Sequence, residues 1–439
     1  MIVISTSVLD IDIPLPQLPS DARVEYRLDY QSNLSLIPWE CFHADHILTY
    51  HIKDSLSITQ YQALIDTCER QTPAMIDIDY KLWQSGGNKP LGDRYILSLH
   101  QDVLDIGSIS SLLNETEDVR FVKIAINAST WSEVVDVHSL IAKSGRRDVI
   151  FSVMGRYGKL QRILYRTFDS SAVYVYCGAP TATGQISLEE ANLYHIRSID
   201  SETMVYGILG NEGVNSSKSL SRYNEVFRRE SQNAVYLPLP AQSIQEAQAM
   251  LFWLQERFQV RGLSITSPFK KELPGSYGKS TIANTFLPAA QQFYNTDVMA
   301  FTAALKILNV SVSDSVLIYG TGACAELFVL HLQANGFGNI SVSGRDISHV
   351  VEFCNALGVR TLSAHNTRFD LLVNCSPLGK SPTNDISKLP TFEKLIDLAY
   401  NASITKLVQL AQEQNIPYVD GSAFWELQFV PQFTLLIQL

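Results

Sequence analysis

Two lysines, and the residues spaced around them, carry the chemistry in this chain. Lys270 closes the segment Ser-Pro-Phe-Lys, and Asp297 closes Tyr-Asn-Thr-Asp 27 residues later. A lysine held near a carboxylate can give a hydrogen bond or a proton to an oxygen that is gaining negative charge. Just beyond, the apolar run SVLIY (315–319) enters Gly320-Thr321-Gly322-Ala323-Cys324-Ala325. This is the G-x-G-x-x-A spacing of a dinucleotide-binding turn. Lysine, carboxylate and nucleotide turn together point to hydride transfer onto a polar substrate. The second lysine, Lys123, lies within the apolar run FVKIA. A charged amine is costly to bury there, so a lowered pKa and a Schiff-base role are the expectation. Glu25 and Arg27 (in VEYRLD) and His100 (closing LSLH) sit near the ends of other apolar runs.

The elements that must position these groups begin with eight short apolar runs, at 1–6, 23–29, 46–51, 74–80, 94–100, 120–126, 148–154 and 171–178. Helix-like stretches such as SITQYQALIDTCERQ and TWSEVVDVHSLIAKSG separate most of them. Strands alternating with helices predict an α/β fold that opens with an N-terminal (β/α)8 barrel, whose functional groups gather at the C-terminal ends of the strands. The first connection, DIDIPLPQLPSDA, is Pro-rich and short, so the first helix is expected to be missing or rudimentary. Near 199–204 the pattern restarts with strands at TMVYGILG, NAVYLPL and RGLSIT. The expected division is a barrel over 1–198, a substrate-binding domain over 203–298 joined by the C-terminal helices of 420–439, and a nucleotide-binding Rossmann domain over 299–419.

With 439 residues, 46% hydrophobic and 18% charged, the composition suits compact cores in more than one domain. A net charge of −10 argues against nucleic-acid or membrane-surface partners and leaves small molecules as the expected ligands. The six cysteines form no C-x-x-C pair and stand at no zinc-ligand spacing, so free thiols and no metal are expected. The opening MIVISTSVLDIDIP has no basic region ahead of its apolar run, and no run is long enough to span a bilayer. A soluble, cytoplasmic protein is the expectation.

Residues 203–439 resemble shikimate dehydrogenase. The family pattern N-V-T-x-P-F-K, A-V-N-T, N-T-D and a Gly-rich turn is matched here by SITSPFK, IANT, YNTD and GTGACA. Ser-Ser-Lys-Ser at 216–219, followed by Asn224, resembles S-x-S-P-x-x-H-N, with Leu220 and Tyr223 where Pro and His are usual; Ser264 replaces the usual Asn. The resemblance implies that Ser217 and Ser219 hold the substrate carboxylate and that Lys270 and Asp297 form the catalytic pair. It further implies that Thr266, Asn284, Tyr400 and Gln428 contact substrate hydroxyls, and that Gly320, Thr321, Gly322 and Ala323 bind the cofactor. At the end of the second nucleotide-domain strand, Arg345 favours the 2′-phosphate of NADP, and Asp346 beside it is the residue type that favours NAD.

Residues 1–197 resemble type I 3-dehydroquinase. Besides Glu25, His100 and Lys123, the segment MGRYGKLQR resembles M-G-x-x-G-x-x-S-R and TATGQ resembles S-A-P-G-Q. The resemblance implies an imine at Lys123 and proton transfer by His100. It places Glu25, Arg27, Arg162, Thr181 and Gln185 around the substrate. His51 and Ser55 stand where the family has an Arg and an acidic residue. Together the halves resemble the fused dehydroquinase–shikimate dehydrogenases, acting in turn on 3-dehydroquinate, 3-dehydroshikimate and shikimate. Two alternatives stay open: an NADP-dependent shikimate or quinate dehydrogenase with an inert barrel, and a metabolite-binding regulator without turnover.

Overall fold

Side chains alternate between the two faces of a strand, and the eight apolar runs use that alternation to build a two-tiered interior. The computed structural model describes residues 1–6, 22–30, 37–51, 58–85, 92–116, 118–362, 368–381, 385–387, 389–399 and 404–437. All eight expected strands form: β1 (Ile2–Thr6), β2 (Arg23–Arg27), β3 (His46–Thr49), β4 (Met75–Asp79), β5 (Gly92–Gln101), β6 (Val119–Asn127), β7 (Val149–Met154) and β8 (Val173–Tyr176). Their order is β7-β6-β5-β4-β3-β2-β1-β8, with β9 (Ile186–Ser187) beyond β8, and every ladder is parallel. The sheet curls until its ends meet, where Ser171 N–H donates to the Val149 carbonyl (2.7 Å) and Phe151 N–H to Ser170 Oγ (2.9 Å).

Inside the curl, Val3, Ile47, Met75, Ile96, Ile150 and Tyr174 make an apolar floor. Two residues further along five of these strands come Ser5, Thr49, Asp77, Ser98 and Ser152, and Glu25 and Lys123 join them; all seven are buried. A polar tier thus lies on an apolar one because the strand repeat returns each second side chain to the same face.

The crossovers are α1 (Ile58–Gln71), α2 (Tyr80–Ser85), α3 (Ile106–Glu115), α4 (Trp131–Ser144) and α5 (Gly158–Ile163), with α6 (Leu188–Leu193) after β9. Capping boxes open α4 (Thr130 with Glu133) and α6 (Ser187 with Glu190). Between β2 and β3 only 3-10 turns, Leu28–Tyr30 and Trp39–Cys41, are found among the described residues. The rudimentary helix expected after β1 lies outside them.

The chain divides into two compact units, Met1–Val260 and Arg261–Leu439. The first also holds α7 (Lys218–Arg229), α8 (Ile244–Gln255) and the parallel pair β10 (Met204–Gly210) and β11 (Ala234–Pro240). Glu246 on α8 joins this layer to the curled sheet. Its Oε1 accepts from Trp131 N–H (2.9 Å) and Tyr157 O–H (2.5 Å), and its Oε2 from Gln242 N–H (2.5 Å). Trp253 stacks on Phe168 (4.7 Å between centroids) and meets Trp131 edge-on (5.5 Å).

The second unit starts within β12 (Gln259–Ile265), which runs antiparallel to β13 (Thr285–Leu287), as β13 does to β14 (Gln292–Tyr294). Next come α9 (Phe269–Ser276), α10 (Asp297–Ile307), β15 (Val316–Tyr319), α11 (Ala323–Ala334), β16 (Ile340–Ser343), α12 (Ile347–Leu357) and β17 (Arg360–Thr361). β18 (Arg368–Phe369) and β20 (Thr391–Phe392) form a small separate ladder. The chain continues through β19 (Leu371–Asn374), β21 (Leu395–Asp397), α13 (Lys406–Glu413), β22 (Tyr418–Val419) and α14 (Gly421–Ile437). The parallel order β17-β16-β15-β19-β21-β22 is a doubly wound sheet. The C-terminal helix α14 packs along α10 and onto β13. At Gly262 any side chain would collide with Leu436 of α14.

Truncating Glu246→Ala strands three donors at once. It should destabilise the first unit by about 1–3 kcal/mol, read as a lower midpoint in urea unfolding followed by tryptophan fluorescence.

Candidate active sites

Lys123 projects from the middle of β6 into the polar tier and is 5% exposed. Its Nζ donates to Asp77 Oδ2 on β4 (2.7 Å) and lies 3.6 Å from Glu25 Oε1 on β2. The Tyr174 ring lies 4.5 Å from it, measured to the ring centroid. Thr49 O–H donates to Glu25 Oε1 (2.8 Å) and reaches Asp77 Oδ2 at 3.5 Å, while Ser5 O–H donates to Glu25 Oε2. Burial by itself would lower the amine's pKa, but Asp77 and then Glu25 outweigh it and hold the pKa above the ordinary lysine value. The expected lowered pKa is thereby corrected: the buried lysine has carboxylate neighbours that strand composition alone did not place beside it.

His100 lies on β5 one tier higher, with the His51 ring edge-on at 4.2 Å. Burial, helped by the Lys123 charge, pushes its pKa down to about 3, so the imidazole is neutral. Arg27 is committed to a two-pronged pair with Asp29 (2.8 and 2.7 Å). Ser55 lies outside the described residues.

The MGRYGKLQR segment turns at Gly155 (φ +74°) and closes against Gly184 (φ +75°) of TATGQ. A Cβ on Gly158 would fall 2.7 Å from Arg162 Nη1 and 3.0 Å from Gly184 Cα, so the two glycines let these loops touch. Arg162 is buried, and its Nη1 donates to the carbonyls of Val153 (2.5 Å), Gly184 (2.9 Å) and Gly158 (3.2 Å). No carboxylate pairs with it among the described residues, and burial lowers its pKa to about 10. Gln185 Oε1 accepts from Thr181 N–H (2.8 Å) and Thr181 O–H (3.2 Å).

Ser217 and Ser219 belong to the first unit, at the start of α7. Ser217 is the N-cap, accepting from Ser219 N–H (3.3 Å), and Ser219 is buried. Both stand at the positive end of the helix dipole, which favours a carboxylate. The substituted neighbours serve packing: Leu220 is buried, and Tyr223 stacks on Tyr236 at 4.1 Å. Asn224 ties α7 to β11 through Tyr236 N–H (3.0 Å) and C=O (2.9 Å).

In the second unit, Lys270 on α9 donates to Asp297 Oδ2 (2.5 Å) and to Cys324 Sγ (3.2 Å). Burial opposes its charge, yet Asp297 holds its pKa well above the ordinary value. Asn284 orients the carboxylate, donating to Asp297 Oδ1 (2.8 Å) and Thr296 Oγ1 (2.9 Å). Gln428 also donates to Thr296 Oγ1 (2.9 Å). Gln432, one helical turn on, donates to the Asn284 carbonyl (2.9 Å) and accepts from Ser264 O–H (2.9 Å), which explains why serine suits position 264. Thr266 is half-buried at the end of β12. Tyr400 lies outside the described residues.

β15 delivers the Gly-rich turn. Gly320 adopts φ +123°, and a Cβ there would press on the Cys375 backbone at 3.3 Å. Gly322 caps α11 with no side chain over the helix end, leaving the first-turn amides of Ala323 and its neighbours open to an anion. Arg345 is exposed, whereas Asp346 is the N-cap of α12, accepting from His349 N–H (3.2 Å). These features fit a dinucleotide phosphate group.

Sequence reading missed Asp77, Cys324, Thr296 and Gln432. Asp77 left a local trace in the Met75-Asp77-Asp79 alternation of β4, which sends every second residue to one face, and Thr296 and Cys324 lie within the YNTD and GTGACA motifs.

Residues 45–201 match the family model of type I 3-dehydroquinase. Over 404 residues the chain is 25% identical to the chloroplastic bifunctional 3-dehydroquinate dehydratase/shikimate dehydrogenase of Arabidopsis thaliana, covering 80% of this chain and 64% of that one. It thus spans slightly less than two thirds of that relative's length. It is 24% identical over 353 residues to the shikimate biosynthesis protein AroDE of Chlamydia pneumoniae (75% of this chain, 72% of the relative). Over 253 residues it is 26% identical to the NADP(+) shikimate dehydrogenase of Dictyoglomus turgidum (51% and 88%).

His100 gives an acid-side test. Its folded pKa of about 3 lies below the unfolded value of 6.5, so the unfolded chain binds the extra proton between them. Stability should fall as pH drops through that window. His100→Asn should flatten the slope there, measured by urea unfolding at a series of pH values.

Proposed function

We propose that the chain performs two consecutive reactions, dehydrating 3-dehydroquinate to 3-dehydroshikimate and reducing that product to shikimate with NADPH. The observation that supports this best is the matched pair of buried lysine–aspartate contacts, Lys123–Asp77 at 2.7 Å and Lys270–Asp297 at 2.5 Å. Each lysine stands where the corresponding resemblance places a catalytic one. We assign 1–198 to the dehydratase, 203–298 with 420–439 to substrate binding in the dehydrogenase, and 299–419 to NADP.

In the first reaction the Lys123 amine adds to the substrate ketone and water leaves, giving an iminium that withdraws electrons from the neighbouring C–H. His100, neutral in its buried setting, takes that proton and later passes one to the departing hydroxyl. Arg162 is assigned to the substrate carboxylate, and Glu25, Arg27, Thr181 and Gln185 line the pocket. Arg27 would reach the substrate only as part of its pair with Asp29.

In the second reaction NADPH, when bound, supplies the hydride. Lys270 holds a proton for the oxygen of the carbonyl being reduced, and Asp297 keeps that lysine charged. Ser217 and Ser219 take the carboxylate, and Thr266, Asn284, Tyr400 and Gln428 take hydroxyls. Gly320, Thr321, Gly322 and Ala323 hold the pyrophosphate. Arg345 receives the 2′-phosphate, an assignment favoured by the employment of Asp346 in capping α12. The substrates are small molecules, and no helix among the described residues is long and apolar enough to cross a membrane.

NADPH oxidation should follow addition of either 3-dehydroquinate or 3-dehydroshikimate. Lys123→Ala should lower the 3-dehydroquinate-started rate by about 10²–10⁴-fold and spare the other. Lys270→Ala should stop oxidation from both while enone formation, followed by ultraviolet absorbance, continues. Oxidation from 3-dehydroshikimate alone would leave a dehydrogenase with an inert barrel. Arg345→Ser should raise KM for NADPH by about tenfold, the effect of one lost phosphate contact of about 1.4 kcal/mol, with kcat little changed.

A further inference from the structure

We propose that Asp77 is the general base of the dehydratase half: it takes a proton from Lys123 Nζ to free the amine for attack, then returns protons to the departing carbonyl oxygen. This rests on the dehydratase reading above and adds a residue to which neither resemblance nor spacing gave a role.

Charge accounting within the polar tier carries the inference. Two buried carboxylates, Asp77 and Glu25, share one ammonium, since Arg27 is paired with Asp29. The Thr49 hydroxyl reaches both carboxylates. If the Lys123 proton left for bulk water, two buried carboxylates that share the Thr49 hydroxyl would lose the one cation that contacts both. Moving the proton onto one of them keeps the net charge of the cluster constant and removes two buried charges together.

Asp77 is the acceptor of choice. It is closer, 2.7 Å against 3.6 Å for Glu25. Both Glu25 oxygens already accept from hydroxyls, Oε1 from Thr49 and Oε2 from Ser5. Asp77 Oδ1, by contrast, is buried with no hydrogen-bond partner among the described residues. An acceptor oxygen that native structures rarely leave idle is here a place for a proton. Every other group facing the amine is less suited. Arg27 on β2 is a cation, Tyr174 on β8 presents its ring, and His100 on β5, one tier higher, is already assigned to the substrate C–H proton.

The step balances. The ammonium carries three hydrogens; one stays on the iminium nitrogen and two leave in water, relayed through Asp77. The C=O bond breaks and the C=N bond forms. Asp77 ends ionised beside the iminium cation, as it began beside the ammonium.

The test uses the full chain, 3-dehydroquinate, and borohydride to reduce the iminium to a stable adduct read as added mass, with the dehydrogenase rate from 3-dehydroshikimate as the internal control of folding. Asp77→Asn keeps the shape and removes the base. It should slow adduct formation about 10²-fold or more at neutral pH, with the rate climbing as pH rises because hydroxide must now deprotonate the amine. Asp77→Glu should recover part of the rate and flatten that climb. Adduct formation in Asp77→Asn at the wild-type rate and with the wild-type pH profile would overturn the proposal. Equal, pH-independent loss in both variants would also overturn it, since that marks damaged packing. A wild-type chain that forms no adduct and no dehydration product would instead overturn the dehydratase reading itself.

Discussion

A buried ammonium must have a carboxylate beside it, and much of the fold is arranged to satisfy that need twice. Taking an amine out of water costs several kcal/mol, which a well-placed anion offsets only when further hydrogen bonds hold the anion in turn. At Lys123 the supports are Asp77, Glu25, Thr49 and Ser5, from four strands. At Lys270 they are Asp297, Asn284, Thr296 and Gln428. Removing Asp297 would leave the Lys270 charge without its ion-pair partner, and removing Asp77 would leave Lys123 with Glu25 alone at 3.6 Å.

The two scaffolds reach this end by different geometry. In the curled sheet, the strand repeat stacks a polar tier on an apolar floor, so the floor of Val3, Ile47, Met75, Ile96 and Ile150 excludes water from beneath the amine. In the second unit, Lys270 and Asp297 come from the first turns of α9 and α10, and long-range hydrogen bonds from α14 hold the Asn284 and Thr296 segments in place. Glycines do the close fitting in both: Gly158 and Gly184 let two loops touch around Arg162, and Gly262 admits Leu436 of α14 against β12.

Several departures from the family patterns acquire physical reasons. Tyr223 stacks on Tyr236, and Leu220 is buried. Ser264 bonds Gln432, and Asp346 caps a helix. His51, standing in the place of an arginine, packs edge-on against His100.

What could be read along the chain was whatever a short stretch encodes. The eight strands, the helix that starts near Trp131, the Gly320–Ala323 turn and both lysines follow from local alternation and motif spacing. The partners of those lysines do not. Asp77 meets Lys123 from 46 residues away, and Gln428 meets Thr296 from 132 away. Strand periodicity says which face a residue takes, but only the curl of the sheet decides what lies across from it. For that reason a lysine whose surroundings in sequence suggest a neutral amine is held as an ammonium in the folded protein, and the tertiary structure alone sets its charge.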